Sequence, residues 1–328
     1  MTILVTGASG HVGGNLVRAL LDRGERVRAM VHRNTRALEG LDVERVPGDV
    51  TDPSTLAPAM ADVDRVFHLA AMISIDGSHG GLVERINVGG TRNVAEAALA
   101  AGVRRFVHFS SVHAFSQTPL GEPLDETRAK VSGRGAPAYD RSKAAAEAEL
   151  REVIAKGLDA VIVNPAGIIG PYDFAPSRMG QVFVQLRRGR LAALTGGGFN
   201  WVDVRDAVAG AIAASERGRS GENYLLPGHQ LSIREIAERA GEIAGFRPPR
   251  FDVPLRLAEM AAPFALGFSR LTRQTPLFTP ESLTALRSNP RIVSDKARDD
   301  LGYQPRPIDE TLRDIYLWLE EAGLIEAA

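Results

Sequence analysis

The sequence predicts an α/β fold, a doubly wound parallel sheet with helices on both faces, followed by a smaller C-terminal region. Two patterns carry that expectation. Short β-branched runs alternate with helical periodicities through the first 165 residues, and such alternation makes right-handed crossovers between parallel strands. A turn with three glycines joins the first strand to the first helix, where folds of this class take up phosphate.

The elements read in order. Ile3–Val5 is a strand, Val12–Arg23 a helix, Val27–Val31 a strand and Val43–Pro47 a weak strand. A short helix at Ser54–Ala61 follows, then a strand at Arg65–Leu69 and a long helix at Leu82–Ala101. Phe106–Ser110 is a strand, Tyr139–Lys156 a helix and Ala160–Asn164 a strand. After Pro165 the rhythm changes: Asp173–Gly180 and Thr195–Asn200 read as loops, and prolines become frequent from Pro248 to Pro307. Val202–Ala214 and Asn223–Leu226 read as a helix and a strand that return to the main sheet. The expected division is therefore 1–170, with a return of about 200–227, for dinucleotide binding. Residues 171–199 and 228–328 form a substrate-binding lid.

Composition narrows the function. Hydrophobic residues make 44% and charged residues 24% of the 328, as in ordinary globular chains. Cysteine is absent, which excludes disulfides, thiolate metal sites and cysteine nucleophiles. No metal site is expected. A net charge of -1 gives nucleic acid or an anionic membrane no electrostatic handle. The N-terminus reads as a strand entering a turn rather than a signal peptide. No apolar run approaches the ~20 residues of a membrane span. The most apolar late stretch, Leu255–Leu271, is broken by Glu259, Pro263 and Arg270 and reads as a packed helical segment. A cytoplasmic location is expected.

The opening Thr6-Gly7-Ala8-Ser9-Gly10-His11-Val12-Gly13 places its glycines between strand and helix. Glycine tolerates positive φ and lets a pyrophosphate approach the backbone. The helix start adds unpaired N–H groups and the positive end of a dipole. This is a Rossmann-type arrangement, and Gly7, Ser9, Gly10, His11, Val12 and Gly13 are its expected cofactor contacts. An acidic residue for a ribose 2′-hydroxyl would close the second strand. That position holds Val31, followed by His32, Arg33 and Arg36. A basic cluster attracts a 2′-phosphate, so NADP(H) is the expected cofactor and NAD(H) the alternative. Asp49 is placed to accept from an adenine amino group, with Val50 beside the ring. Ala70 and Ala71 are small enough for the cofactor to lie close.

Tyr139 and Lys143, four residues apart, share one helix face. A cation there favours the phenolate and lowers a phenol pKa that is otherwise near 10. The ammonium can also bind ribose hydroxyls. Upstream, an apolar strand ends in Ser110 and Ser111, at the strand end that lines the ligand crevice. A hydroxyl there can hold a substrate oxygen while tyrosine moves its proton.

These residues resemble the extended short-chain dehydrogenase/reductase family, also called the NAD-dependent epimerase/dehydratase family. The resemblance runs through Thr6–Gly13, Asp49-Val50, His68-Leu69-Ala70-Ala71, Asn87-Val88-Gly89-Gly90-Thr91, Ser110-Ser111 and Tyr139…Lys143. It continues through Asn164-Pro165, Ile169-Gly170-Pro171 and Trp201–Asp206. It implies that Ser111 polarises the substrate, Tyr139 is the general acid/base, and Lys143 binds ribose and tunes the tyrosine. It implies that Leu69 and Ser110 line the cofactor and that Asn87 supports the active-site water and backbone network. Asn164, Pro165 and the backbone as far as Ile168 would face the carboxamide. His113 would reach the substrate or pack in the lid.

Val112-His113 after Ser111 stands where sugar-nucleotide dehydratases of the family carry Asp-Glu, which demotes dehydration. Asn164-Pro165 with a basic second-strand end is similar to dihydroflavonol reductase-like and hopanoid-associated members. The expected activity is an NADP(H)-dependent reduction of a ketone or aldehyde, or oxidation of the alcohol, in a small organic substrate. The alternative is an NAD-dependent nucleotide-sugar epimerase. A homodimer through the two long helices is implied by the same resemblance.

Overall fold

The computed structural model describes residues 1–32, 34–133, 135–260 and 279–326. The strands, in chain order, are β1 (Thr2–Thr6), β2 (Arg26–Val31), β3 (Glu44–Pro47), β4 (Arg65–His68), β5 (Arg105–Phe109), β6 (Ala160–Pro165), β7 (Gly167–Ile169), β8 (Leu194–Thr195), β9 (Gly198–Asp203), β10 (Asn223–Leu226), β11 (His229–Ser232) and β12 (Asp252–Val253). Seven of them form one sheet in the order β10-β6-β5-β4-β1-β2-β3. Every pairing in it is parallel.

Burial on both faces explains the near-continuous apolar strands. β1, β5 and β6 are buried at every position. On one face Ile3, Val5, Val107 and Val161 pack under α1 (His11–Asp22) and later helices. On the other, Leu4, Val66, Phe106 and Ile162 meet α2 (Leu56–Ala59) and the helices that follow it. The first of these, α3, runs as Leu82–Glu84, a π-turn Arg85–Gly89 and Gly90–Ala100. The second is α4 (Ala138–Ala155). The chain winds outward from β1 to β3, then crosses back to β4 on the other side of β1. The reversal between β1 and β4 opens the crevice in which such sheets bind ligands.

Beyond β6 the chain builds α5 (Arg178–Arg187), α6 (Val204–Arg217), α7 (Ile233–Ala244), α8 (Pro280–Ala285), α9 (Asp295–Leu301) and α10 (Ile308–Glu321). α6 packs under the main sheet through Val208, Ala211 and Ile212, and β10 adds its edge strand. β7, β9 and β11 form a separate three-stranded sheet, and β12 pairs with β8. Around these, Phe183, Trp201, Ile236, Leu312, Ile315 and Trp318 form a second core.

Sequence expectations change around β9. Val202 and Asp203 belong to β9, not to a helix, because 198–203 is paired with β7 and β11. The Asp203 carboxylate then accepts from Arg205 N and starts α6 one residue later. Thr195–Asn200 is not a loop throughout, since β9 begins at Gly198. Of Leu255–Leu271, residues 255–260 are helical as expected and the rest lies outside the described residues, as does all of 264–275.

The two halves are tied at the glycine turn. His11 Nε2 donates to the Pro171 carbonyl at 3.0 Å, and Asn15 Nδ2 donates to the same oxygen at 3.1 Å. One turn on, the Arg18 guanidinium lies over Tyr172 (4.8 Å) and Phe174 (5.1 Å). Phe174 in turn packs edge-on against Trp318, 5.5 Å away. Tyr172 has φ 62°, a left-handed conformation unusual for a side chain of this size.

Candidate active site

The glycine turn follows from close contacts. Gly7 has φ 68°, and a Cβ on it would stand 2.7 Å from Ala70 N. A Cβ on Gly13 would meet the Gly7 carbonyl oxygen at 2.1 Å. Only glycine lets the turn fold between β4 and α1. Thr6, fully buried at the end of β1, fastens the far side: its Oγ1 accepts from Leu69 N and Ala70 N, each at 3.2 Å. No side chain caps α1, so its first-turn N–H groups stand ready for an anion. Such a cradle fits the pyrophosphate of a dinucleotide, with Ser9, Gly10 and Val12 beside it. The His11 side chain is instead committed to Pro171.

At the end of β2 the reading of a purely basic cluster is modified. His32 lies 3.7 Å from the Asp49 carboxylate, which also accepts from Thr51 N and Thr51 Oγ1 at 2.8 Å each. A carboxylate thus stands among the groups expected to meet a 2′-phosphate. Arg33 lies outside the described residues. Val50 is buried, its side chain close beneath Gly90 at the start of the straight part of α3.

Across the switch point the chemistry-bearing residues converge. Ser111 follows β5 and caps a single 3₁₀ turn at Val112–Ala114, accepting from His113 N at 3.1 Å. Tyr139 comes close enough to Ser111 for the serine hydroxyl to favour the phenolate. Lys143, 4% exposed, donates from Nζ to the Phe109 carbonyl at 2.8 Å, with Nζ 6.0 Å from the Tyr139 ring centre. Asp140 lies 3.5 Å from His113 Nδ1. Serine, tyrosine and lysine therefore meet at the C-terminal edge of β5.

The phenol is pushed up from its ordinary value, not down. Burial is the main cause, Asp140 adds to it, and the Ser111 hydroxyl opposes it. The expected depression by Lys143 is absent because Nζ is turned to a backbone carbonyl. Lys143 itself is pulled down to about 8 by burial, with Glu147 opposing.

Several expected cofactor contacts act as struts. Asn87 sits in the π-turn and holds Met72 from both sides, Oδ1 accepting from Met72 N at 2.7 Å and Nδ2 donating to Met72 O at 3.0 Å. It also donates to Ser142 Oγ at 2.8 Å, which ties the loop after β4 to α4. Ser110 Oγ donates to Glu147 at 2.5 Å rather than facing the crevice. Asn164 Nδ2 donates to Ser111 O and to Glu147. Leu69, Ala70 and Ala71 follow the end of β4, Pro165 ends β6 and Ile168 lies within β7.

Two groups escaped the sequence reading. Glu147, 1% exposed, gathers Ser110, Asn164, Asn223 and Lys130. His68 and His108 stack across β4 and β5 with ring centres 5.5 Å apart. His68 bonds Thr6 Oγ1 and Thr91 Oγ1, whereas neither His108 nitrogen has a protein partner. Burial pulls His68 down to about 3 and His108 well below its ordinary value, with Lys143 adding to both. For the histidines, a polar residue within a short, otherwise buried strand was the available signal.

A glycine-turn crevice with serine, tyrosine and lysine at the strand ends marks the class of nicotinamide-dependent enzymes of the short-chain dehydrogenase/reductase kind. Residues 3–226 match the NAD dependent epimerase/dehydratase family, and the chain belongs to it. It is 40% identical to "Sterol demethylase protein B" of Methylococcus capsulatus, over 99% of this chain and 100% of that one. It is 31% identical to a "3 beta-hydroxysteroid dehydrogenase/Delta 5-->4-isomerase" of Mycobacterium tuberculosis, over 92% and 86%. Among solved structures it resembles that of gox2253, with TM-score 0.85, 34% identity and 99% of each chain covered.

Proposed function

We propose that this protein is an NADP(H)-dependent oxidoreductase that reduces a ketone, or oxidises the matching alcohol, on an apolar ring system of the sterol kind. The observation that carries the reading is that Tyr139 and Ser111 meet at the end of β5, with Lys143 one helical turn further on. The sterol and steroid names of two full-length relatives support the substrate class. So does Ile73, 71% exposed on the loop that Asn87 fastens beside the site. In this reading residues 1–170 with about 200–227 hold the dinucleotide and the remainder forms the lid.

The nicotinamide, when bound, supplies or accepts the hydride. Gly7–Gly13 and the first turn of α1 hold the pyrophosphate, and Lys143 the ribose hydroxyls. Ser111 orients the carbonyl oxygen, and Tyr139 gives it a proton. A phenol held above its ordinary value keeps that proton at neutral pH, which suits a general acid in the reductive direction. Lys143 stabilises the phenolate left behind, so reduction requires its ammonium form. The expected pH profile for reduction is flat below about 8 and falls above it, following Lys143.

Tyr139→Phe tests the reading. With NADPH and a steroid 3-ketone, kcat should fall by ~10²–10⁴-fold, the range of lost acid catalysis, while cofactor affinity stays within about twofold. Full turnover by that variant overturns the mechanism.

One observation favours a second reading, an NAD-dependent nucleotide-sugar epimerase. The Asp49 carboxylate beside His32 suits a free ribose hydroxyl. Such an enzyme would keep reduced or oxidised NAD through purification and show no net oxidation of added NADPH.

A further inference from the structure

We propose that Glu147 is a positioning residue for the reaction, a buried carboxylate that keeps Lys143 in its ammonium form and locks the ends of β5, β6 and β10 around it. Tyr139, Lys143 and Glu147 follow one another at four-residue steps on α4, so all three lie along one helix face. Glu147 is 1% exposed. Its Oε1 accepts from Ser110 Oγ at 2.5 Å and Asn164 Nδ2 at 2.8 Å. Its Oε2 accepts from Asn223 Nδ2 at 3.0 Å and lies 2.5 Å from Lys130 Nζ.

Three hydrogen-bond donors and one ammonium surround a carboxylate, which has no donor to offer. A glutamine amide would turn an N–H₂ toward groups that are themselves donors. Lys130 is itself pressed over the Phe115 ring, 3.2 Å from its centre, so the ion pair is set in an apolar wall. Asn223 also donates to Asn164 Oδ1 at 2.7 Å, which closes the network across three neighbouring strands.

The surroundings of Lys143 show why a carboxylate is needed there. Burial disfavours the ammonium. β4 presents His68 and β5 presents His108, and Lys143 depresses the pKa of both. The segment before α4 presents Lys130, a second cation. On α4 itself Tyr139 lies one turn before and Glu147 one turn after, while Asp140 is paired with His113. Glu147 is thus the anionic group whose charge opposes the effect of burial on Lys143. Ser110 and Asn164 also join Glu147 to the backbone that carries Ser111, because Asn164 Nδ2 reaches the Ser111 carbonyl at 3.0 Å.

The inference rests on the reductase reading only in its kinetic arm. The experiment compares the full chain with Glu147→Gln and Glu147→Asp. It records kcat against pH with NADPH and a steroid 3-ketone, and the Lys143 titration by NMR of ¹³C-labelled lysine, assigned with Lys143→Met. In Glu147→Gln the Lys143 midpoint and the alkaline limb of kcat should move down by one to two pH units. That is a ~5- to 50-fold loss at pH 8, with kcat within about threefold of the parent at pH 6. Glu147→Asp keeps the charge at a greater distance and should fall between the two.

A Lys143 midpoint unchanged in Glu147→Gln, with kcat lowered equally at every pH, overturns the inference and leaves Glu147 a strut. Should Glu147→Gln not fold, coincident titrations of Glu147→Asp and the parent overturn it. A parent that turns over no carbonyl, with the midpoint shift still present, strikes the function reading and spares this one.

Discussion

Adjacent serines at the end of β5 have different fates. Ser111 meets Tyr139, and Ser110 turns the other way into Glu147, because successive side chains of an extended chain alternate in direction. The resemblance had given Ser111 the substrate and Ser110 the cofactor, and only the structure shows that Ser110 is spent on a strut. The four-residue spacing of Tyr139 and Lys143, read with the serines upstream, placed both on one helix near Ser111, and the structure has them so. Glu147 was not legible, since a glutamate eight residues into a helix ordinarily faces solvent. Its meaning depends on Asn164, Asn223 and Lys130, which are distant in sequence.

At the same scale, His68 and His108 carry an acid-stability prediction. Both are depressed in the fold, so the unfolded chain binds more protons once the pH falls below its histidine value near 6.5. Their contribution is complete above that pH and is lost as pH falls toward the folded values, about 3 for His68. Stability should drop by up to ~1.4 kcal/mol per pH unit per histidine through this window. Thermal unfolding of His108→Leu from pH 7 to pH 4 should show a shallower loss than the parent. Equal slopes would remove the assignment.

At the scale of elements, the glycine turn offers a graded test. Gly13→Ala drives a Cβ into the Gly7 carbonyl, whereas Gly14→Ala meets the Ala37 methyl at 3.1 Å and the movable Arg18 guanidinium at 3.4 Å. The first should weaken NADPH binding at least ~10-fold, about 1.4 kcal/mol. The second should change it little, both read by fluorescence titration. The glycine spacing was legible in the sequence because a strand and a helix flank it. The π-turn at Asn87 was not, since helical periodicity does not report one added residue in a turn. Such turns gather at functional sites, and here the widened turn carries the asparagine that holds the loop after β4. The short strands β7, β8, β11 and β12 were equally hidden, being two to four residues long and defined by distant partners.

For the whole molecule, the main sheet was legible because buried parallel strands read as apolar runs. The second region was not, because its core joins α5, α7 and α10 from widely separated segments. We propose that cofactor choice is set at the open edge of the sheet, where His32 and Asp49 meet. Asp49→Asn should raise the ratio of NADPH to NADH affinity, measured by parallel titrations, and an unchanged ratio would remove Asp49 from that choice. We also propose a homodimer through α3 and α4. Their apolar stripes are used by the sheet, and the outer face carries Arg92 paired with Glu96 and Glu149. Light scattering should therefore give a mass of two chains at low salt and less as salt rises. One chain at every ionic strength would exclude it.

The stack from Arg18 through Tyr172 and Phe174 to Trp318 has an optical consequence. One of the two indoles in the chain is wired to the first helix behind the phosphate cradle. Emission from Trp318 should change in step with loading of that cradle, and Arg18→Ala should uncouple the signal while leaving the protein able to load. The molecule carries its own gauge of occupancy, legible without any dye.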